Sequence, residues 1–214
     1  SAPSALKSML PDLADLPEGD DHLREQRLDS TLAHSGRFLQ VMHDTVRLPD
    51  GSVSYREYIV HPGAVMVVPI LDDGRLLLER QYRYPHHRAF IEFPAGKIDA
   101  GEAGITCGVR ELHEETGCSA AEWALAGELR NAIAYSDERI EIWFARGLTV
   151  GERRLDEGEF LDVFAASEQQ LSDWIRDGEV TDAKTMIALL WLQQWRAGRW
   201  ALDWRPAEAW SRGR

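Results

Sequence analysis

The chain has 214 residues, 44% of them hydrophobic and 28% charged, enough for one ample core or for one domain with an extension. Its 36 acidic against 24 basic side chains leave a formal net charge of −12. That excess argues against non-specific binding to nucleic acid or to anionic membranes, both of which need basic patches. No apolar run approaches the roughly 18–20 residues of a spanning helix, and the opening SAPSALKSMLPDLADLPEGDD lacks a basic segment followed by an apolar core, so a cytoplasmic protein is expected. Cys107 and Cys118 would stand about 16 Å apart along one helix, well beyond disulfide reach of about 7 Å. No His or Cys lies at zinc-ligand spacing from them, so both are expected as free, packed thiols.

Residues 1–30 are polar, carry Pro3, Pro11 and Pro17 and show no sustained period, which predicts a mobile or loosely docked arm. From Gly36 the pattern turns β-like. Two runs rich in Val, Tyr and Phe flank Pro49-Asp50-Gly51 and read as a hairpin. An apolar run from Ala64 to Leu71, the turn Asp72-Asp73-Gly74 and a second run from Leu76 to Tyr82 repeat that logic. RAFIEFPAG reads as one further short strand.

The period changes between Glu102 and Thr116. Ile105, Val109, Leu112 and Thr116 recur at i, i+4, i+7 and i+11, the mark of one helical stripe facing a core. Glu111, Glu114 and Glu115 centre roughly 130° from that stripe, at about 100° per residue. They share a face and repel by a few tenths of a kcal/mol per pair. Two readings stand: a solvated acidic face, or a site for Mg²⁺ or Mn²⁺, hard cations that turn such repulsion into shared coordination. Gly104, Cys107 and Gly108 lie on the carboxylate side of the same helix. Their small size admits either a close-lying loop or ligand, or tight helix–strand packing. Beyond Gly117, EWALAGELRNAIA, RIEIWFARGL and EFLDVFAA read as strands. SEQQLSDWIRDG and TDAKTMIALLWLQQWRAG read as helices, each opening on a Ser or Thr cap and ending near Gly. Mixed strands with late helices predict α/β or α+β sandwich packing, not a doubly wound sheet.

From Gly96 the chain has five residues, Glu102, seven residues, Arg110-Glu111-Leu112, one residue, Glu114-Glu115, one residue, Gly117 and the apolar Cys118. This resembles the Nudix box at every defining position. RQYRYP, IEFPAGKID, DEGEFLDV and REYIVHPGAVMVVP extend the likeness over roughly residues 35–195 and resemble the ADP-ribose pyrophosphatase branch of that superfamily. The resemblance implies a Nudix α/β/α sandwich of mixed sheets with an N-terminal β-hairpin or sheet extension. It divides the chain into an arm (1–34), a hairpin extension used in dimerisation (35–60), a catalytic domain (61–200) and a tail (201–214).

By the same resemblance, Glu111 and Glu115 are metal ligands, with Glu114 auxiliary and the backbone carbonyl of Ala95 a main-chain ligand. Arg110 orients the box acids, and Glu102 supports the fold. In the loop RRLDEGEFLDV, Glu159 completes the metal cluster and Glu157 is the base that deprotonates or orients the attacking water. Arg83 and Glu92 match positions that contact the pyrophosphate and terminal ribose, and Arg56 and Glu57 match a pair near the nucleoside. An exposed strand pair is the competing reading of Arg56 and Glu57. The implied activity is Mg²⁺- or Mn²⁺-dependent hydrolysis of ADP-ribose to AMP and ribose 5-phosphate by a homodimer. The rivals are a nucleotide-sugar or other nucleoside-diphosphate-X pyrophosphatase and a non-catalytic nucleotide sensor. The chain departs from many ADP-ribose-specific members in having no proline in RNAIAYSDERIEIWFA, a short way past the box.

Overall fold

A computed structural model describes residues 11–155, 157–158 and 160–211. The chain divides into two compact units, Ser1–Val60 and His61–Arg214.

The first unit is an antiparallel sheet of β1 (Gln26–Ser35), β2 (Gln40–Arg47) and β3 (Val53–Val60) in that order. The expected hairpin is β2–β3. Its turn closes through Gly51 N–H to Leu48 O, Gly51 takes a positive φ of 87°, and the Asp50 carboxylate accepts from the Ser52 N–H and hydroxyl. Residues 26–35, read from the sequence as mostly arm, are a strand instead. β1 alternates too weakly to announce itself: every one of its residues is exposed, so no apolar period marks it.

The second unit is layered. β4 (Ala64–Pro69) lies between β7 (Ala95–Lys97) and β9 (Ile140–Val150), and β8 (Cys118–Leu129) completes a four-stranded sheet in the order β7-β4-β9-β8. The β4–β9 pair is parallel. β5 (Leu76–Arg83), β6 (Arg88–Glu92) and β10 (Leu161–Ala166) form a separate antiparallel sheet in the order β10-β5-β6. The helices are α1 (Gly104–Thr116), α2 (Glu168–Arg176), α3 (Ala183–Arg196) and α4 (Ala207–Ser211).

β4 is apolar throughout because both of its faces are covered. Val65 and Val67 pack with Ile105 and Leu112 of α1 and with Trp123 and Trp143. Met66 and Val68 pack with Leu76, Leu78, Phe93 and the α2–α3 residues Leu171, Leu189 and Leu192.

Four expectations change. The turn at Asp72-Asp73-Gly74 forms, with Gly74 N–H bonded to Leu71 O and an isolated Ile70–Leu76 bridge beside it, yet β4 and β5 leave it for different sheets. RAFIEFPAG is two strands in two sheets, divided at Phe93-Pro94, where the Pro94 carbonyl accepts from Val67 N–H. On α1, Ile105 and Leu112 are buried but Val109 is exposed, so the apolar stripe is narrower than its spacing suggests. α3 is capped by Asp182, which accepts from Thr185 N–H, and not by Thr181. The Ser167 cap of α2 forms as expected, with Gln170 closing a capping box.

Candidate active site

The site is built where α1 crosses the strand ends of both sheets in the second unit. Gly108 sets the approach: a Cβ there would meet Val65, Trp123 and Val67 side chains at 3.3–3.5 Å, so the helix rests directly on β4 and β8. The helix stops at Gly117, whose φ of 74° makes the left-handed cap. The loop after β9 closes over that end through Gly151 N–H to Gly117 O and Arg154 N–H to Glu114 O. Gly104 admits the buried Glu141 carboxylate at the start of the helix, and that carboxylate accepts from Trp143 Nε1 at 3.0 Å. The small residues on this side of α1 therefore serve both close packing and the approach of polar groups.

Arg110 is the organiser. Its guanidinium donates to Glu102 (3.0 and 3.1 Å), Glu111 (2.7 Å), Glu114 (3.0 Å) and the Lys97 carbonyl (3.2 Å). The hydrogen bond to Glu102 is the main reason its pKa lies even higher than an arginine's usual value, and Arg110 in turn holds Glu102 below the carboxylate range. Glu102 is thus an anchor for Arg110, as the sequence implied. Gly96 is the complementary cradle: a Cβ there would fall 1.8 Å from a Glu111 carboxylate oxygen, so only glycine lets β7 and Glu111 share that space. Glu115 is buried, and its Oε2 accepts from Ala95 N–H at 3.1 Å. Box residues Glu111, Glu114 and Glu115 and the Ala95 loop are therefore brought together.

Arg83 and Glu92 meet across the β5–β6 ladder. The fork is bidentate, at 2.7 and 2.8 Å. Lys184, from α3, adds a contact of 2.6 Å to Glu92 and also pairs with Asp182 at 3.0 Å. Burial alone would raise the Glu92 pKa, but the hydrogen bonds from Arg83 and the charge of Lys184 outweigh it and hold the carboxylate below its usual value. These groups line a cleft of about 360 Å³ with Pro85, His86 and Phe90.

Lys184, its partner Asp182 and Glu79 escaped the sequence reading. Lys184 arrives from a helix about ninety residues downstream, and nothing local to it announces the meeting. Glu79 is wholly buried on β5 and, among the described residues, neither of its carboxylate oxygens has a hydrogen-bond partner. Burial, reinforced by the charge of Glu92, pushes its pKa up to about 7. Strand parity was the available signal, because Glu79 lies four residues before Arg83 and so on the same face.

The remaining expected residues are elsewhere or outside view. Glu157 is exposed in a turn of the loop tied to α1, and Glu159 lies outside the described residues. Arg56 and Glu57 belong to the first unit, where Arg56 pairs with Glu25 and Glu57 stands 3.4 Å from His43 Nδ1. Both are exposed, and successive strand residues point to opposite faces.

Among the described residues no three His, Cys, Asp or Glu side chains already stand in a metal-holding group. The donors nonetheless suit a hard divalent cation. They are carboxylates with a neighbouring backbone carbonyl, a glycine cradle keeps one of them in place, and a buried carboxylate beside them lacks a donor.

The family model described as the NUDIX domain matches residues 60–190, more than half of the chain. The chain belongs to the Nudix family. A second model, the nucleoside diphosphate sugar hydrolase N-terminal domain, matches residues 25–59. This Nudix hydrolase is 35% identical over 173 residues to the ADP-ribose pyrophosphatase of Bacillus subtilis (strain 168), covering 80% of the chain and 94% of that protein. It is equally 35% identical over 173 residues to the methanol dehydrogenase activator of Bacillus methanolicus, covering 79% and 92%. A crystal structure of an ADP compounds hydrolase superposes with a TM-score of 0.75 at 27% identity, over 82% of this chain and 96% of that one. The chain is a Nudix pyrophosphohydrolase of ADP-ribose pyrophosphatase-like type. No helix among its described residues is long and apolar enough to cross a membrane.

Proposed function

We propose that this Nudix hydrolase cleaves the diphosphate of ADP-ribose to AMP and ribose 5-phosphate with Mg²⁺ or Mn²⁺. The observation that carries the reading is the fixed array of Arg83, Glu92 and Lys184 opening on a cleft next to the Arg110–Glu111–Glu115 centre. Arg83 presents a guanidinium suited to phosphate oxygens, while Glu92 and Asp182 offer acceptors to ribose hydroxyls. Glu111, Glu115 and Glu159, with Glu114 auxiliary and the Ala95 carbonyl, would hold the metal. Bound there, the metal supplies charge neutralisation at the phosphoryl oxygens and acidifies water. Arg110 keeps Glu111 and Glu114 aimed, and Glu157 takes the proton of the attacking water. Arg56 and Glu57 are assigned to the nucleoside.

The match of residues 25–59 to a nucleoside diphosphate sugar hydrolase segment favours a second reading, a nucleotide-sugar pyrophosphatase. A purely sensing module would have no use for three intact box glutamates and the Arg110 scaffold that holds them.

The deciding experiment is a substrate panel of ADP-ribose, UDP-glucose, GDP-mannose and diadenosine diphosphate with each metal, products separated by chromatography. AMP and ribose 5-phosphate formed fastest supports the proposal; faster release from a nucleotide sugar transfers it to the second reading. We also propose a C₂ homodimer in which the 35–60 hairpin, preceding a catalytic domain of 61–200, reaches the partner's site. Light scattering that finds an active monomer at assay concentration overturns that assembly.

A further inference from the structure

Glu79 is the one member of the centre with no stated task. Its side chain is wholly buried, its two oxygens lack donors among the described residues, and it lies against Glu115 and opposite Glu92 on the β5–β6 ladder. The cations within reach are already engaged: Arg83 spends its fork on Glu92, and Lys184 is shared between Glu92 and Asp182. Placing an unpaired carboxyl in the interior costs more than most single contacts return, and a second carboxylate beside it adds to the cost. An apolar side chain would fit a strand that reads Leu76-Leu77-Leu78 up to this point. The position has the composition of a ligand, not of a packing residue.

We propose that Glu79 is a further ligand of the divalent cation held by Glu115, so that the metal site spans helix α1 and strand β5. A hard cation is the partner that the buried Glu79 carboxylate lacks among the described residues, and Glu115 lies beside it. The box glutamates then supply only one side of the coordination. This inference rests on the metal-dependent reading of the preceding subsection.

The test uses the full chain, Mn²⁺ alone and no nucleotide. Affinity is read by calorimetry and by electron paramagnetic resonance of unbound Mn²⁺, with melting temperatures taken in EDTA and in Mn²⁺. Glu79→Gln and Glu79→Met are compared with wild type and with Glu115→Gln. Both Glu79 variants are expected to bind Mn²⁺ about 10–100-fold more weakly and to lose most of the Mn²⁺-induced rise in melting temperature. In EDTA, Glu79→Met is expected to melt at or above wild type, because an unpaired buried carboxyl is gone.

Mn²⁺ affinity within about threefold of wild type in both Glu79 variants, with affinity lost in Glu115→Gln, overturns the inference and leaves the metal site standing. Such a result would leave Glu79 as a buried carboxyl outside the coordination sphere. Unchanged affinity in Glu115→Gln as well overturns the metal reading itself. Failure of both Glu79 variants to fold also overturns the inference, since it assigns Glu79 to the architecture of the metal-free protein.

Discussion

A single methyl group at position 96 tests the geometry of the centre. Gly96→Ala places a Cβ 1.8, 2.0 and 2.5 Å from the three atoms of the Glu111 carboxyl group. Ordinary contact begins near 3.4 Å, so the carboxylate has to retreat by about 1.5 Å, and displacements of about 1 Å at a reacting centre cost on the order of 100-fold in rate. The retreat also breaks the 2.7 Å bond from Arg110. Because the obstacle is the end of a flexible side chain and not backbone, the expected loss of stability is only about 1 kcal/mol. The assay is kcat and the Mg²⁺ concentration for half-maximal activity, measured beside a urea melt. Expected are a roughly 100-fold fall in kcat/KM and a raised Mg²⁺ requirement. The clash also predicts non-additivity: in a Glu111→Ala background, with the carboxylate gone, Gly96→Ala should cost almost nothing further. Full activity in the single mutant, or an undiminished penalty in the double mutant, would refute the claim that Gly96 exists to seat Glu111.

Glu115→Gln is expected to leave circular dichroism unchanged and to lower kcat by orders of magnitude; near-normal turnover would restore the reading of a solvated acidic face. Glu92→Gln removes the charge that Arg83 and Lys184 share and should cost about 3 kcal/mol in a urea melt together with a raised KM, whereas unchanged stability would mean the array is not a unit. The pH dependence of the metal-free protein follows from Glu79. Its folded pKa of about 7 lies above the ordinary 4.5, so its contribution is fully present below about pH 4.5 and is lost as pH rises through 7, a change of about 3 kcal/mol. The melting temperature in EDTA should therefore fall from pH 5.5 to 8 by more in wild type than in Glu79→Met, and parallel curves would contradict it. Glu157→Gln should depress turnover with metal affinity nearly normal while Glu159→Gln weakens metal binding itself, and identical behaviour in a Mn²⁺ titration would end that division of roles.

The sequence by itself determined the features that depend on near neighbours. The α1 helix, its Gly117 stop, the β2–β3 turn and the Ser167 cap each follow from residues within about five positions, where backbone geometry and local hydrogen bonds decide. The spacing of Arg110, Glu111, Glu114 and Glu115 was legible for the same reason, because helical repeat alone puts them within reach of one guanidinium.

Only the tertiary structure decided where the strands go. Leu71 and Leu76 flank a well-formed turn, yet β4 and β5 part, because the four-stranded sheet needs β4 between β7 and β9 while Leu76 and Leu78 cover its other face. Val109 fits the helical stripe and remains exposed, since the width of a buried stripe is set by what packs on it. Glu79 and Lys184 are the extreme cases. A Glu on a strand and a Lys in the first turn of a helix are unremarkable one by one. Burial and the meeting of β5, β6 and α3 give them their electrostatics, and those are properties of distances across the fold that no local pattern encodes.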